Sequence, residues 1–198
     1  MEKMPPRRLL TLALAVDVIL LLLAALWSWW GGIPVWSRIR LTLGGLAGGL
    51  VGAGGMMLMN YGLVKWAVRQ QWQEPRRWIE ELFQPLFSGL NLREILIISL
   101  GAGFAEEILF RGVVQPSLGW ITASLLFGCL HVPQRKFLSL GAWATGQGLY
   151  LGGLYLLTGN LLVPMLTHAL YDAAALSYLR YIWPWTRQGQ RFRLGGSS

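Results

Sequence analysis

"LLTLALAVDVILLLLAALWSWW", residues 9–30, decides how this chain meets its surroundings. The stretch holds one charge, Asp17, and exceeds the roughly 20 apolar residues that cross the hydrocarbon core of a bilayer. The preceding "MEKMPPRR" resembles the basic leader of a secretory signal, but the apolar run is too long for one and no small-residue cleavage site follows it. A retained transmembrane helix is expected.

The remainder of the 198 residues agrees with that reading. They are 54% hydrophobic and 13% charged, more apolar and less charged than a soluble domain. A net charge of +8 raises the question of nucleic acid, yet the basic residues stand at the ends of apolar segments rather than on one polar face. They read as topology determinants, and no nucleic-acid partner is expected. The single cysteine, Cys129, excludes an internal disulfide framework and a Cys-rich metal site.

Working outward, a Gly-Pro turn at 31–34 leads to a second apolar segment at 41–66, where Gly44, Gly48 and Gly52 recur every four residues. Small residues at that spacing let a neighbouring helix approach closely in lipid. Residues 69–94 interleave Arg69, Glu74, Arg76, Arg77, Glu80, Glu81, Arg93 and Glu94 with Trp72, Trp78, Leu82, Phe83 and Phe87, the pattern of a helix lying at the interface with its apolar face inward. Further helices are expected at 94–113, 119–132, 138–157 and 161–183. The fold class is all-α: a polytopic membrane helical bundle of about six apolar helices plus one interfacial helix. It forms one integral membrane domain over 1–198, with a core at 94–183 and less characteristic amino-terminal helices at 9–93.

If every apolar segment crosses, Lys3, Arg7, Arg8, Lys65, Arg69, Arg76, Arg77, Arg135, Lys136, Arg187, Arg191 and Arg193 share one side. Both termini are then cytoplasmic. The segment 119–132 is short for a crossing, about 20 Å of helix. Tryptophans at segment ends (Trp27, Trp29, Trp30, Trp36, Trp66, Trp183, Trp185) suit an interfacial belt, and the basic tail "RQGQRFRLGGSS" suits anionic lipid. The size and the short loops suggest a bacterial cytoplasmic membrane.

"GAGFAEEILFRGVVQP", residues 101–116, places ionisable groups inside an otherwise apolar helix. Glu107 and Arg111, four apart, share a face, whereas Glu106 points about 100° away from Glu107. Arginine can hold one carboxylate ionised in a low-dielectric place. Glu106 is left without its own cation, and a desolvated carboxylate keeps its proton more readily, which suits proton exchange near neutrality. The only histidines, His131 and His168, each have a same-face neighbour one turn away, Phe127 and Asp172. Ionisable groups in membrane segments face one another or a water-filled cavity, so Glu106, Glu107, Arg111, His131, His168 and Asp172 are expected to share one internal site.

A carboxylate beside a histidine can activate water, and a second histidine with its neighbour can stabilise the oxyanion of an attacked carbonyl. That combination is peptide hydrolysis. No H-E-x-x-H occurs, Cys129 and His131 point to nearly opposite sides of a helix, and a two-aspartate mechanism would need Asp17, which has no motif around it.

"EEILFR" (Glu106, Glu107, Arg111), "FGCLH" (Phe127, His131) and "HALYD" (His168, Asp172) resemble, in type, spacing and order, the E-E-x-x-x-R, F-x-x-x-H and H-x-x-x-N/D motifs of the CAAX prenyl protease and bacteriocin-processing (CPBP, or Abi) family. The resemblance runs from 106 to 172. It implies an intramembrane endopeptidase acting on a membrane-associated protein or peptide, lipidated or not, in CAAX-type processing or in peptide and bacteriocin maturation. Glu106 and His131 would activate water, His168 and Asp172 would form the oxyanion site, and Glu107, Arg111 and Phe127 would support them. Position 172 departs from the asparagine common in the prenyl proteases. An ionised aspartate cannot donate to an oxyanion, so Asp172 would be protonated, orient His168 or bind metal. The family is often described as metalloproteases. A metal-free glutamate mechanism is favoured, with Zn²⁺ on Glu106, His131, His168 and Asp172 as the alternative.

Two other classes of function remain open to the sequence. A non-catalytic membrane scaffold or partner-binding protein would keep the polar cluster for packing, and a transporter would use it as a proton relay, though no inverted repeat is evident. Gln147, Tyr155, Asn160 and Tyr171 are additional candidates to line the cavity.

Overall fold

The computed structural model describes residues 4–183, and among these every regular element is helical, with no strand. Lys3, Arg187, Arg191, Arg193, Trp185 and the tail 187–198 lie outside the described residues. The first helix, α1 (Pro6–Gly31), begins with proline at its first position and ends at Gly32, whose φ of 60° is the left-handed conformation that closes a helix. In the second, α2 (Leu43–Arg69), the Thr42 hydroxyl accepts from the Gly45 N–H at 3.0 Å. Both are long and apolar enough to cross a membrane, with mean hydropathies of 2.8 and 1.2 in their most apolar windows. Leu12, Val16, Ile19, Leu23 and Leu26 of α1 and Leu50, Val51 and Leu58 of α2 face outward, a surface suited to lipid.

The helix α3 (74–87), expected at the interface, is shorter than the expected 69–94, because residues 70–73 and 88–91 are non-helical. Its apolar face is inward as expected: Trp72, Trp78, Leu82 and Phe83 pack with Phe137, Leu140 and Trp143. Its outer face carries Arg76–Glu80 and Arg77–Glu81 pairs at 2.8 and 3.1 Å. Lys136 reaches Glu81 at 2.7 Å and holds that carboxyl below the usual carboxylate range.

The motif helix α4 (92–118) starts in a capping box: Asn91 accepts from the Glu94 N–H at 3.0 Å and Glu94 accepts from the Asn91 N–H at 2.8 Å. It runs past its expected end at 113 through a π-helical stretch, Ile108–Val114, whose side chains are all buried. Gly119, at φ 88°, is the whole connection to α5 (Trp120–Leu130). Then come α6 (Leu138–Thr158) and α7 (162–182).

Length and hydropathy alone carry only two of the six expected crossings among the described residues. The charges Arg93, Glu94, Glu106, Glu107 and Arg111 lower the hydropathy of α4. With 11 residues, α5 reaches about 16 Å at 1.5 Å per residue, shorter than the expected 119–132.

The helices interlock through α4 and α7. Parallel to α4 runs α1: Leu9, Leu10 and Ala13 pack with Leu90, Ile95 and Ile98, and Asp17 occupies the space left by Gly101. Antiparallel to α4 runs α7, with Gly103 against the backbone of Ala169 and Arg180 donating to the Leu90 carbonyl at 2.9 Å. On the other side of α7, Gly45, Gly49 and Gly52 of α2 meet Asn160, Leu166 and Thr167, while Gly44 faces open space. Of the expected Gly44–Gly48–Gly52 row, Gly48 meets Val163 and Gly52 meets Thr167, while Gly44 lies off the contact. A four-residue step overshoots the 3.6-residue turn by about 40°, so such a row drifts off the face.

Helices α5 and α6 form an antiparallel pair that the glycines bring close together. A side chain at Gly128 would meet Thr145 and the Gly141 carbonyl, and one at Gly148 would meet Ser124. Lys136 and Glu81 meet at one end of the bundle, where α1 and α4 start. At the other end Asn160 clasps Arg40, accepting from its N–H at 3.0 Å and donating to its carbonyl at 2.8 Å. Starting from that far end, α5 stops partway back, and residues 131–137 cover the remaining distance.

Gly128→Val should destabilise the protein by about 1–3 kcal/mol through overpacking against the α6 backbone, a fall in Tm of roughly 2–4 °C per kcal/mol. Gly146→Val, on the open side of α6, should leave the melting temperature in detergent nearly unchanged, and equal losses for the two variants would contradict this packing.

Candidate active site

All six expected ionisable residues come together, but the grouping differs from the one their spacing suggests. The Glu107–Arg111 pair forms at 2.7 Å, with side chains 0% and 1% exposed. Arg111 also donates to the Gly148 carbonyl of α6 at 3.0 Å and lies over the Phe127 ring, 4.6 Å from its centroid. The same Glu107 oxygen receives His168 Nδ1 at 2.9 Å. Glu107 is thus shared between the supporting arginine and the histidine of the expected oxyanion pair. Helical spacing assigns faces within one helix and is silent on a partner 61 residues away; nothing in the sequence pointed to this bond.

His168 turns its other nitrogen, Nε2, toward Asp172 Oδ2 at 3.5 Å. The imidazole is held between two carboxylates, with Glu107 orienting it from behind. Asp172 is 29% exposed and His168 only 6%, so Asp172 lies nearer the open side.

His131 sits at the carboxyl end of α5. Its Nδ1 is 2.7 Å from the Phe127 carbonyl oxygen, which can only accept, so Nδ1 carries the proton and a neutral ring presents a bare Nε2. That Nε2 faces Glu106 Oε2 at 3.9 Å, beyond a direct hydrogen bond. Glu106 Oε2 is buried without a hydrogen-bond partner. The Phe127 ring stacks on His131 at 4.4 Å and meets the His168 ring edge-on at 6.0 Å. Phe127 is therefore the spacer that sets both imidazoles and the guanidinium.

Zinc requires three or four protein ligands converging at about 2 Å. Among the described residues no three His, Cys, Asp or Glu side chains converge in that way. The proposed set Glu106, His131, His168 and Asp172 does not fit zinc as arranged here.

Of the additional candidates, Asn160 clasps Arg40, and Tyr155 meets Arg38 Nη1 at 3.3 Å. Both are tied to the far end of the bundle. Gln147 and Tyr171 stand beside site residues in the chain and hydrogen-bond each other at 3.4 Å.

Comparison with known proteins gives the same segment. Residues 88–174 match the family model described as type II CAAX prenyl endopeptidase Rce1-like, which bears out the resemblance seen in the three motifs. The Bacillus subtilis (strain 168) protein YpbD, itself uncharacterized, is 40% identical over 96 residues, 48% of this chain and 51% of that protein. The chain thus spans about half the length of the curated relative it matches. No solved structure matches it.

Breaking the buried pair from one side should be costly. Arg111→Ala or Glu107→Ala is expected to lose about 3–5 kcal/mol, because an unpaired charge remains buried. Glu107→Leu combined with Arg111→Leu should lose less than the two single leucine variants summed. Thermal unfolding in detergent checks this, and strict additivity would show that the pair is not coupled.

Proposed function

We propose, on the premise that residues 88–174 are a segment of the Rce1-like type II CAAX prenyl endopeptidase family, that this membrane protein is an intramembrane endopeptidase. Its substrate is a membrane-associated protein or peptide, processed in CAAX fashion or in peptide maturation. The observation that carries the reading is the facing of Glu106 Oε2 and His131 Nε2 at 3.9 Å, one an acceptor without a partner and the other a bare ring nitrogen. A separation of that size admits a water hydrogen-bonded to both.

In this reading Glu106 takes a proton from the water while His131 Nε2 orients it, and the resulting hydroxide attacks the substrate carbonyl carbon. The oxyanion lies toward His168 Nε2–H. Glu107 holds the opposite side of that ring at 2.9 Å, and Asp172, whose Oδ2 makes only a long 3.5 Å contact with the same Nε2, orients the ring and yields that contact to the oxyanion. Glu106 then passes its proton to the leaving amine as the tetrahedral intermediate collapses. No step requires a metal.

The two groups proposed to activate water are more accessible than the supporting pair: His131 is 37% and Glu106 19% exposed, against 0% and 1% for Glu107 and Arg111. The orientation proposed is six crossings of a bacterial cytoplasmic membrane with both termini cytoplasmic. It is supported by Arg7, Arg8, Lys65, Arg69, Arg76, Arg77, Arg135 and Lys136 at segment ends that α1, α2, α3 and α6 share.

The test compares protein amino termini by mass spectrometry in cells making the wild-type chain or Glu106→Gln at equal abundance. New termini found only with the wild type are expected. Identical profiles from two folded, membrane-inserted proteins would sink the protease and favour a scaffold.

A further inference from the structure

Beside the reacting groups lies a second polar cluster, uncharged and drawn from three helices. Asn60 of α2 is buried, 8% exposed, and its Nδ2 donates to the Met56 carbonyl at 2.9 Å. Its Oδ1 receives Gln147 Nε2 of α6 at 3.4 Å, and the same nitrogen reaches the Tyr171 hydroxyl of α7 at 3.4 Å. These bonds use both hydrogens of the Gln147 amide and leave three groups over. One N–H of Asn60, the Gln147 carbonyl Oε1 and the O–H of Tyr171 have no partner among the described residues.

Two features tie the cluster to the site through the chain. Tyr171 immediately precedes Asp172 and follows His168 by three residues on the same helix. Gln147 immediately precedes Gly148, whose carbonyl receives Arg111. The mutual bonds at 3.4 Å are long for N–H···O, so exchanging them for better-placed partners costs little. Gln147 and Tyr171 are half-buried, so their spare groups are open to an incoming chain.

We propose that Asn60, Gln147 and Tyr171 form a substrate-backbone subsite that holds the peptide in extended form beside the scissile bond. The inference rests on the protease reading above and adds the part of the substrate recognised. One spare acceptor and two spare donors complement a peptide group, which offers one N–H and one carbonyl with two lone pairs. A peptide stretched alongside the reacting groups has lost its own helical hydrogen bonds, and within an apolar bundle these groups must be met by the protein. The subsite therefore favours segments that unwind, independently of their side chains.

The probe is a synthetic peptide spanning a cleavage site returned by the terminus comparison. It is compared with analogues in which the backbone N–H of one residue near the scissile bond is replaced by an ester oxygen, one position at a time. With wild-type protein, one analogue should lose about tenfold in kcat/KM, mainly through KM, the scale of one or two hydrogen bonds. Gln147→Leu should show the same loss with the all-amide peptide and no further loss with that analogue. Gln147→Met, which also removes the acceptor of that N–H but keeps the length of the side chain, is the milder variant to use if Gln147→Leu does not fold. Ester sensitivity unchanged in the variants, with wild type active, would overturn the subsite alone. A wild-type protein that cuts nothing would overturn the protease reading and this inference with it.

Discussion

The structure depends on one carboxylate oxygen. Glu107 Oε1 receives Arg111 at 2.7 Å and His168 at 2.9 Å, and Arg111 in turn reaches the Gly148 carbonyl. A charge buried among apolar helices is tolerable only when its hydrogen bonds are supplied by geometry as good as water would provide. For Oε1 the supply comes from Arg111 of α4 and His168 of α7, and Arg111 is held in turn by α6, so this one oxygen ties three helices together, while Oε2 is buried without a hydrogen-bond partner. The apolar contacts around it, Phe110, Phe127, Ala144 and Met165 among them, are non-directional; they can hold the bundle together without setting where an imidazole points.

Much of this was legible in the sequence where a single helix contains the whole argument. The apolar length of 9–30, the glycine-bearing helix after it, and the Glu107–Arg111 and Phe127–His131 neighbours all follow from 3.6 residues per turn. The reading failed where the answer lies between helices or in a departure from that turn. The phase of the glycine row, with Gly45 and Gly49 in contact and Gly44 open, needed the true periodicity carried over several turns. The π-helical stretch Ile108–Val114 leaves no compositional mark, although such widenings are frequent at functional sites. The Glu107–His168 bond joins positions in separate helices, and residue types alone assign Glu107 to Arg111 and His168 to Asp172. The sequence contained a hint in the glycines of "GQGLYLGG", residues 146–153. Residues without side chains bare the carbonyls of α6, and Arg111 and Gln115 take those of Gly148 and Gly152.

The short α5 is the remaining constraint, and it links helix termination to chemistry. A helix that ends inside a bundle leaves its last carbonyls without partners, in a place where water does not freely supply them. In α5 the His131 N–H goes back to Gly128 at 3.0 Å, which frees the Phe127 carbonyl, and the His131 ring takes that carbonyl through Nδ1 at 2.7 Å. One hydrogen bond thus caps the helix and sets the tautomer. Because Nδ1 is spent on the cap, a neutral ring has only Nε2 to offer, and Nε2 is the nitrogen that faces Glu106. Were α5 to continue for another turn, the Phe127 carbonyl would be satisfied by the backbone and the ring would be released from that orientation. A helix continued through His131 is therefore incompatible with the arrangement that the proposed water activation uses; the chain completes this crossing through residues 131–137, and the brevity of α5 serves the site as well as the fold.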